Sequence, residues 1–252
     1  MCAAVNQVAL LHSCILLKDQ EDGLNMLTKL ESVTDSLMPP VVTDFGLGFK
    51  DTFKTAANGA AQWLNCVYGT HLPEMEIVPD HKQSTAAMAG SIAGNAVIFM
   101  ALSLGTRGIG SKGVGGTALR AGLTGAFMEG VLKPTAADDP HVCITRLENC
   151  LIGFATFASM GGTAEALSRT ALFALPATRS LASTITYGGL SGIAGGLVHA
   201  QAEAWVKDRK FFANPSNYLS DTAHYGAFGV SCGGLGYAVP RIALLIKRME
   251  GR

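Results

Sequence analysis

The sequence has few charged side chains and no net charge. Charged residues make up 15% of its 252 positions, whereas an ordinary soluble domain has about 25%. Nineteen acidic residues balance nineteen basic ones. Because binding to a nucleic acid backbone needs a basic face, we expect no nucleic acid partner.

The sequence also lacks paired-cysteine motifs and the features of a cleavable signal peptide. The six cysteines form no C-x-x-C pair, so the pattern predicts reduced, buried thiols. The first seventeen residues are apolar, but no basic residue precedes Lys18. No clean small-residue cleavage site follows them, so we interpret this stretch as a packing helix and not as a signal peptide.

Glycine, in contrast, is abundant and regularly spaced. The chain has 30 glycines and only 9 prolines, without the G-X-Y period of collagen. Within apolar runs, small residues recur every fourth position, which places them on one face of a helix where backbones can approach closely. The predicted helix-packing residues are Gly90, Gly94, Gly122, Gly130, Gly162, Gly188, Gly192, Gly196, Gly229 and Gly233.

Long uncharged runs decide the predicted fold class. Residues 84–106, 180–202 and 222–240 contain no charged side chain, and 114–132 and 147–166 contain only two each. Apolar and polar residues do not alternate there, and glycine and alanine are depleted in strands. We therefore predict an all-α protein: a glycine-zipper bundle of about five long apolar helices preceded by amphipathic helices.

The change in charge density divides the chain into two predicted regions. Residues 1–82 form an amphipathic helical region with a linker, and residues 83–252 form the Gly/Ala-rich bundle. The first region has two apolar stripes at helical spacing. One consists of Leu24, Leu27, Leu30, Val33 and Leu37; the other consists of Phe49, Phe53, Ala56, Ala60, Trp63 and Val67.

Two explanations account for helices that are apolar all round. Uncharged runs of 19 to 23 residues match the roughly 20 needed to cross a bilayer. We therefore expect a membrane-embedded bundle with a structural, channel or scaffold role, and no catalytic site, metal or cofactor. Its expected partners are the lipid bilayer and further copies or a larger complex. The alternative is a soluble or peripheral subunit of a cytoplasmic assembly, its apolar helices covered by partner chains.

Two glycine motifs and one set of ionisable residues are the candidates for chemistry. Gly108–Gly113 matches the G-x-G-x-x-G of dinucleotide-binding folds, but the long apolar run before it favours an inter-helix loop. Gly229–Gly233 matches G-x-S-x-G, yet no histidine follows it as hydrolase order requires. Ionisable residues inside apolar runs are functional candidates if lipid surrounds them. Those residues are Glu129, Glu165 and His199.

The small-residue helices over about 84–205 resemble those of the mitochondrial translocase and preprotein/amino-acid transporter group. That resemblance implies glycine-zippered membrane helices, four of them in that group. The group's arginine and downstream aspartate, in fixed register before a glycine pair, have no counterpart that we could place. Glycine-rich apolar hairpins of pore-forming toxins and phage membrane-penetrating proteins are similar in the same general way.

Overall fold

The computed structural model describes residues 40–75, 84–110, 112–136, 139–170 and 180–250. Its helices are α1 (Pro40–Tyr68), α2 (Thr85–Gly105), α3 (Val114–Phe127), α4 (Val142–Ser168), α5 (Leu181–Val206) and α6 (Pro215–Glu250). None of the described residues lies in a strand. The prediction of an all-α protein is therefore confirmed.

The described residues from Phe45 onward belong to one compact unit. The predicted boundary at 82/83 stays a prediction. The apolar stripe at 24–37 lies outside the described residues. The second stripe lies on α1, but the helix buries small and polar residues, among them Gly48 and Thr52, while Phe53 is 41% exposed.

Two serines start the apolar helices that follow. The Ser84 hydroxyl accepts a hydrogen bond from the backbone N–H of Ala87 (3.0 Å), and the Ser180 hydroxyl accepts one from that of Ser183 (3.1 Å). Each bond satisfies a backbone donor that the first turn of a helix leaves free. The uncharged runs therefore become helices from their first residues.

The apolar helices differ in length. By length and composition, α2, α4, α5 and α6 are each able to cross a membrane. The run 114–132 instead forms the 14-residue α3, followed by a five-residue π-helix, Met128–Leu132 (the π segment). The last helix, α6, continues through Pro240 for 36 residues in all.

Antiparallel pairs of helices build the bundle. The most extensive contacts join α5 to α6 and α3 to α4, and α4 also packs against α5. An aromatic cluster fills the centre, with the Phe99 and Phe157 rings 5.0 Å apart and Phe228 packed against both. Ile92, Ala96, Met160 and Tyr225 complete this core.

Candidate functional site

The predicted packing glycines of α5 and α6 face each other. A Cβ on Gly196 would lie 2.6 Å from the Cα of Thr222, and one on Gly233 would lie 2.5 Å from the carbonyl oxygen of Thr184. Gly188 and Gly229 lie against each other's backbone in the same way. Because these neighbours are main-chain atoms, no side chain could move aside to admit a larger residue.

The remaining predicted glycines contact three other helices. A Cβ on Gly94 would meet Thr52 of α1 at 2.9 Å, and one on Gly122 would meet the ring of Phe154 on α4 at 2.8 Å. Gly90 lies against α1 and Gly130 against α4. Gly162 is different, since its nearest neighbour would be 3.5 Å away, an ordinary contact distance.

Sequence reasoning missed several glycines in equally close contacts. Gly48 lies against the backbone of Ala87, Gly59 against that of Leu132, and Gly195 against the Met160 side chain. Gly48 and Gly59 lie in the charged N-terminal part of the chain, where no repeat of small residues draws attention to them. Gly195 precedes Gly196, and the four-residue spacing selected only the second of the two.

Large apolar side chains lie on the outside of α5. Leu190, Ile193 and Leu197 are 43%, 40% and 46% exposed, whereas the glycines at 188, 192, 195 and 196 are buried. Soluble helices place their large apolar residues in the core. The helix therefore has the reverse distribution, with small residues inside and large apolar ones outside.

Each candidate ionisable residue has a charged partner. Glu129 accepts a hydrogen bond from Lys133 (2.8 Å), and Glu165 accepts one from Arg169 (2.8 Å). His199 Nδ1 lies 2.8 Å from a carboxylate oxygen of Asp221 on α6, and its side chain is 12% exposed. Glu165 and Arg169 lie at the end of α4, but His199 and Asp221 join two helices inside the bundle.

His199 also belongs to a group able to bind a cation. One ligand atom from each of His199, Glu203 and Asp221 lies within 4.8 Å of the others, and imidazole with carboxylate is a donor set for divalent transition metals. However, Lys207 donates to Glu203 at 3.1 Å. Because Glu203 and Asp221 already have partners, the group is built as a hydrogen-bonded ionic cluster.

A buried arginine holds three segments together. Arg146 of α4 is 5% exposed and donates to the carbonyl oxygens of Gly130 in the π segment (2.8 Å) and Gly59 in α1 (3.3 Å). It also donates to the side chain of Gln62. The last turn of a helix leaves carbonyl groups without a partner, and this guanidinium donates to two of those in the π segment, at Gly130 and Val131.

Two cysteines that we expected to be buried are exposed and adjacent. The sulfur atoms of Cys66 (α1) and Cys143 (α4) lie 3.4 Å apart, and both residues are exposed. The hydrogen bond shared with Cys143 raises the pKa of the Cys66 thiol, and desolvation of Cys66 adds to this. The pair is a thiol contact between α1 and the start of α4.

The two sequence motifs lie in contexts that do not suit their functional readings. Gly229–Gly233 is inside α6, where Ser231 donates to the carbonyl oxygen of Ala227 (3.1 Å); a nucleophile elbow requires a strand-to-helix turn. Gly108, Gly110 and Gly113 lie in the connection between α2 and α3, and Gly110 and Gly113 have φ of 82° and 116°, a region that favours glycine.

Two cavities adjoin the aromatic cluster. The larger has a volume of about 610 Å³ and reaches from Phe99 and Phe228 to Arg107 and Arg120. The smaller, about 330 Å³, is lined by Phe157, Phe228 and the Glu129–Lys133 pair. Phe228 lines both cavities.

No protein-family model, curated protein or solved structure matches the chain.

Proposed function

We propose that the protein is a membrane-embedded helical bundle with a structural, scaffolding role. In this proposal α2, α4, α5 and α6 cross the bilayer, and the small residues form a glycine zipper between them. The observation that carries it is the reversed distribution on α5. Lipid is the simplest environment for an outer face of Leu190, Ile193 and Leu197, because small inner faces let helices associate without a hydrophobic driving force.

The residues at and after the end of α5 also support the proposal that the helices cross a bilayer. Trp205, Phe211 and Phe212 are 56%, 76% and 70% exposed there, next to the basic residues Lys207 and Arg209. The Trp205 indole N–H and the Gln201 amide both donate to the carbonyl oxygen of Phe211 at 2.8 Å, so the turn is held in place. Exposed aromatic and basic residues at a helix end are typical of the membrane–water interface.

Insertion of the helices is expected to be collective. The run 180–202 has few large aliphatic residues, and each supplies only about −0.3 to −0.6 kcal/mol of insertion free energy. Close packing of α5 on α6 adds the dispersion contacts that a single inserted helix lacks. We propose that the lipid bilayer is the main partner and that copies of the chain associate or join a larger complex.

Alkaline carbonate extraction of expressing cells tests this proposal. We expect the protein to remain in the membrane pellet and to need detergent for release. The matched control replaces Leu190, Ile193 and Leu197 with serine, which should increase release while leaving the glycine contacts unchanged. Release of the unaltered protein into the supernatant as a large, discrete oligomer would overturn the proposal and favour a soluble or peripheral assembly subunit.

A further inference from the structure

The larger cavity is an open cleft lined by residues of five helices, and its inner walls are apolar. Phe99, Met160 and Phe228 form its inner end, where they belong to or pack against the aromatic core. Gly188, Gly229 and Gly233 line it further along and leave space because they have no side chains. Its volume of about 610 Å³ lies within the range of about 300–1,000 Å³ typical of small-molecule sites.

The other end of the cavity is polar and positively charged. Ser103 lies in the last turn of α2, Thr106 and Arg107 directly follow that helix, and Thr117 and Arg120 lie in the first turns of α3. Arg120 donates to the Thr117 hydroxyl at 3.1 Å. These hydroxyl and guanidinium groups surround one mouth of a mostly apolar space.

Among the residues that the structure describes, the two arginines have no carboxylate partner. No acidic residue lines the cavity, and within the described part of the chain no ion pair includes Arg107 or Arg120. Arg169, at the same end of the bundle, is neutralised by Glu165. Guanidinium groups bind carboxylate and phosphate oxygens with two parallel hydrogen bonds, so an anionic head group complements this mouth.

We infer that this cavity binds an anionic amphiphile with one long acyl chain, of which a long-chain fatty acid is the simplest. The acyl chain lies against Phe99, Met160 and Phe228, and the anionic head lies between Arg107 and Arg120. Each additional methylene removed from water strengthens binding, whereas the arginines select for charge. The inference holds whether the helices cross a bilayer or pack in a soluble assembly, since it depends only on the cavity.

Displacement of a fluorescent fatty acid, cis-parinaric acid, tests the site. The full chain is purified in an uncharged detergent, and palmitate, hexadecanol, octanoate, lysophosphatidate and inorganic phosphate are added as competitors. We expect palmitate to compete at least tenfold better than hexadecanol, which lacks the charge, and than octanoate, which has a short chain. Competition by lysophosphatidate supports the shared chemistry of one acyl chain with an anionic head. Competition by inorganic phosphate and not by palmitate would overturn it.

Matched variants distinguish fatty acid binding in the cavity from uptake of the fatty acid into detergent micelles. Ala164→Leu fills the cavity and Arg107→Gln with Arg120→Gln removes its charge, so each should weaken palmitate binding at least tenfold. Ala166→Leu and Arg169→Gln, at the same end of α4 but outside the cavity, should bind like the unaltered protein. Circular dichroism verifies folding, and Ser103→Leu is the second filling variant. Equal binding by the filled and control variants, or equal competition by palmitate and hexadecanol, would overturn the inference.

Discussion

Replacing Gly192 with leucine introduces a side chain between α5 and α6 where the structure has no room. A Cβ at this position would lie 2.8 Å from the carbonyl carbon of Tyr225 and 3.0 Å from the Cα of Gly226. Real Cβ atoms rarely approach other heavy atoms so closely, and both neighbours belong to the backbone. The two helices must therefore separate, which also disturbs the packing of Tyr225 in the aromatic core.

The size of the effect follows from a comparison with Gly234 on α6. A Cβ there would have no heavy atom within 4 Å, so Gly234→Leu keeps the gain in helix propensity, about 1 kcal/mol, that Gly192→Leu also receives. Overpacking at 192 costs about 1–3 kcal/mol. Because the propensity gains cancel, the free energies of unfolding should differ by about this amount. At about 2–4 °C per kcal/mol, Gly192→Leu should melt roughly 2–12 °C below Gly234→Leu.

Thermal unfolding followed by circular dichroism in one detergent measures this difference. Leu190→Ala serves as a second comparison, since Leu190 is 43% exposed and loses few protein contacts when truncated. We expect it to melt within a few degrees of the unaltered protein. A melting temperature of Gly192→Leu equal to or above that of Gly234→Leu would refute the packing argument.

Three further predictions concern the contacts of α4. Mild oxidation with diamide should join Cys66 to Cys143, seen as a mass loss of about 2 Da for two hydrogens and as faster migration in non-reducing gels. Because the thiolate is the reacting form and the pKa of Cys66 is raised, the reaction should be slow at neutral pH and faster at alkaline pH. Arg146→Met should destabilise the fold, since each buried carbonyl left unpaired costs about 1–3 kcal/mol, and should speed hydrogen exchange in the π segment. Hydrogen bonding from Thr145 lowers the pKa of the Asp139 carboxyl, so its stabilisation of the start of α4 should be lost as the pH falls below about 4, measured by hydrogen exchange there.

Each of these predictions has a contradicting result. Cross-linking that persists when Cys66 is replaced by serine would mean that other thiols react. Unchanged exchange in the π segment of Arg146→Met would mean that the guanidinium does not hold that segment. Asp139→Asn should abolish the acid-induced change, and an identical pH response in that variant would assign the change to another group.

The sequence predicted helices well where local chemistry alone determines them. The uncharged runs at 84–106 and 180–202 begin with Ser84 and Ser180, and the structure starts α2 and α5 directly after these capping residues. The π segment was not predictable in the same way. Its backbone, with the N–H of Lys133 bonded to the carbonyl of Met128, is held by Arg146 from another helix.

The sequence predicted only some of the glycines that make close helix contacts, because those contacts also depend on other parts of the chain. A glycine at a four-residue interval identifies a face of a helix, but not whether a neighbour approaches it, as the open surroundings of Gly162 and the close contact at Gly48 illustrate. The partner of His199 is likewise a long-range feature, because Asp221 follows it by 22 residues on the next helix. The larger cavity depends on five helices together and had no signal in the sequence.

Labelling with a photoactivatable lipid tests the central claim, that α5 faces lipid with its large side chains and protein with its glycines. The protein is reconstituted into vesicles containing a lipid with a diazirine in its acyl chain, irradiated, digested and analysed by mass spectrometry. The account predicts adducts at Leu190, Ile193 and Leu197 and none at Gly192 or Gly196. Adducts on the glycine face, or an unlabelled α5 in vesicles where α2 is labelled, would contradict it.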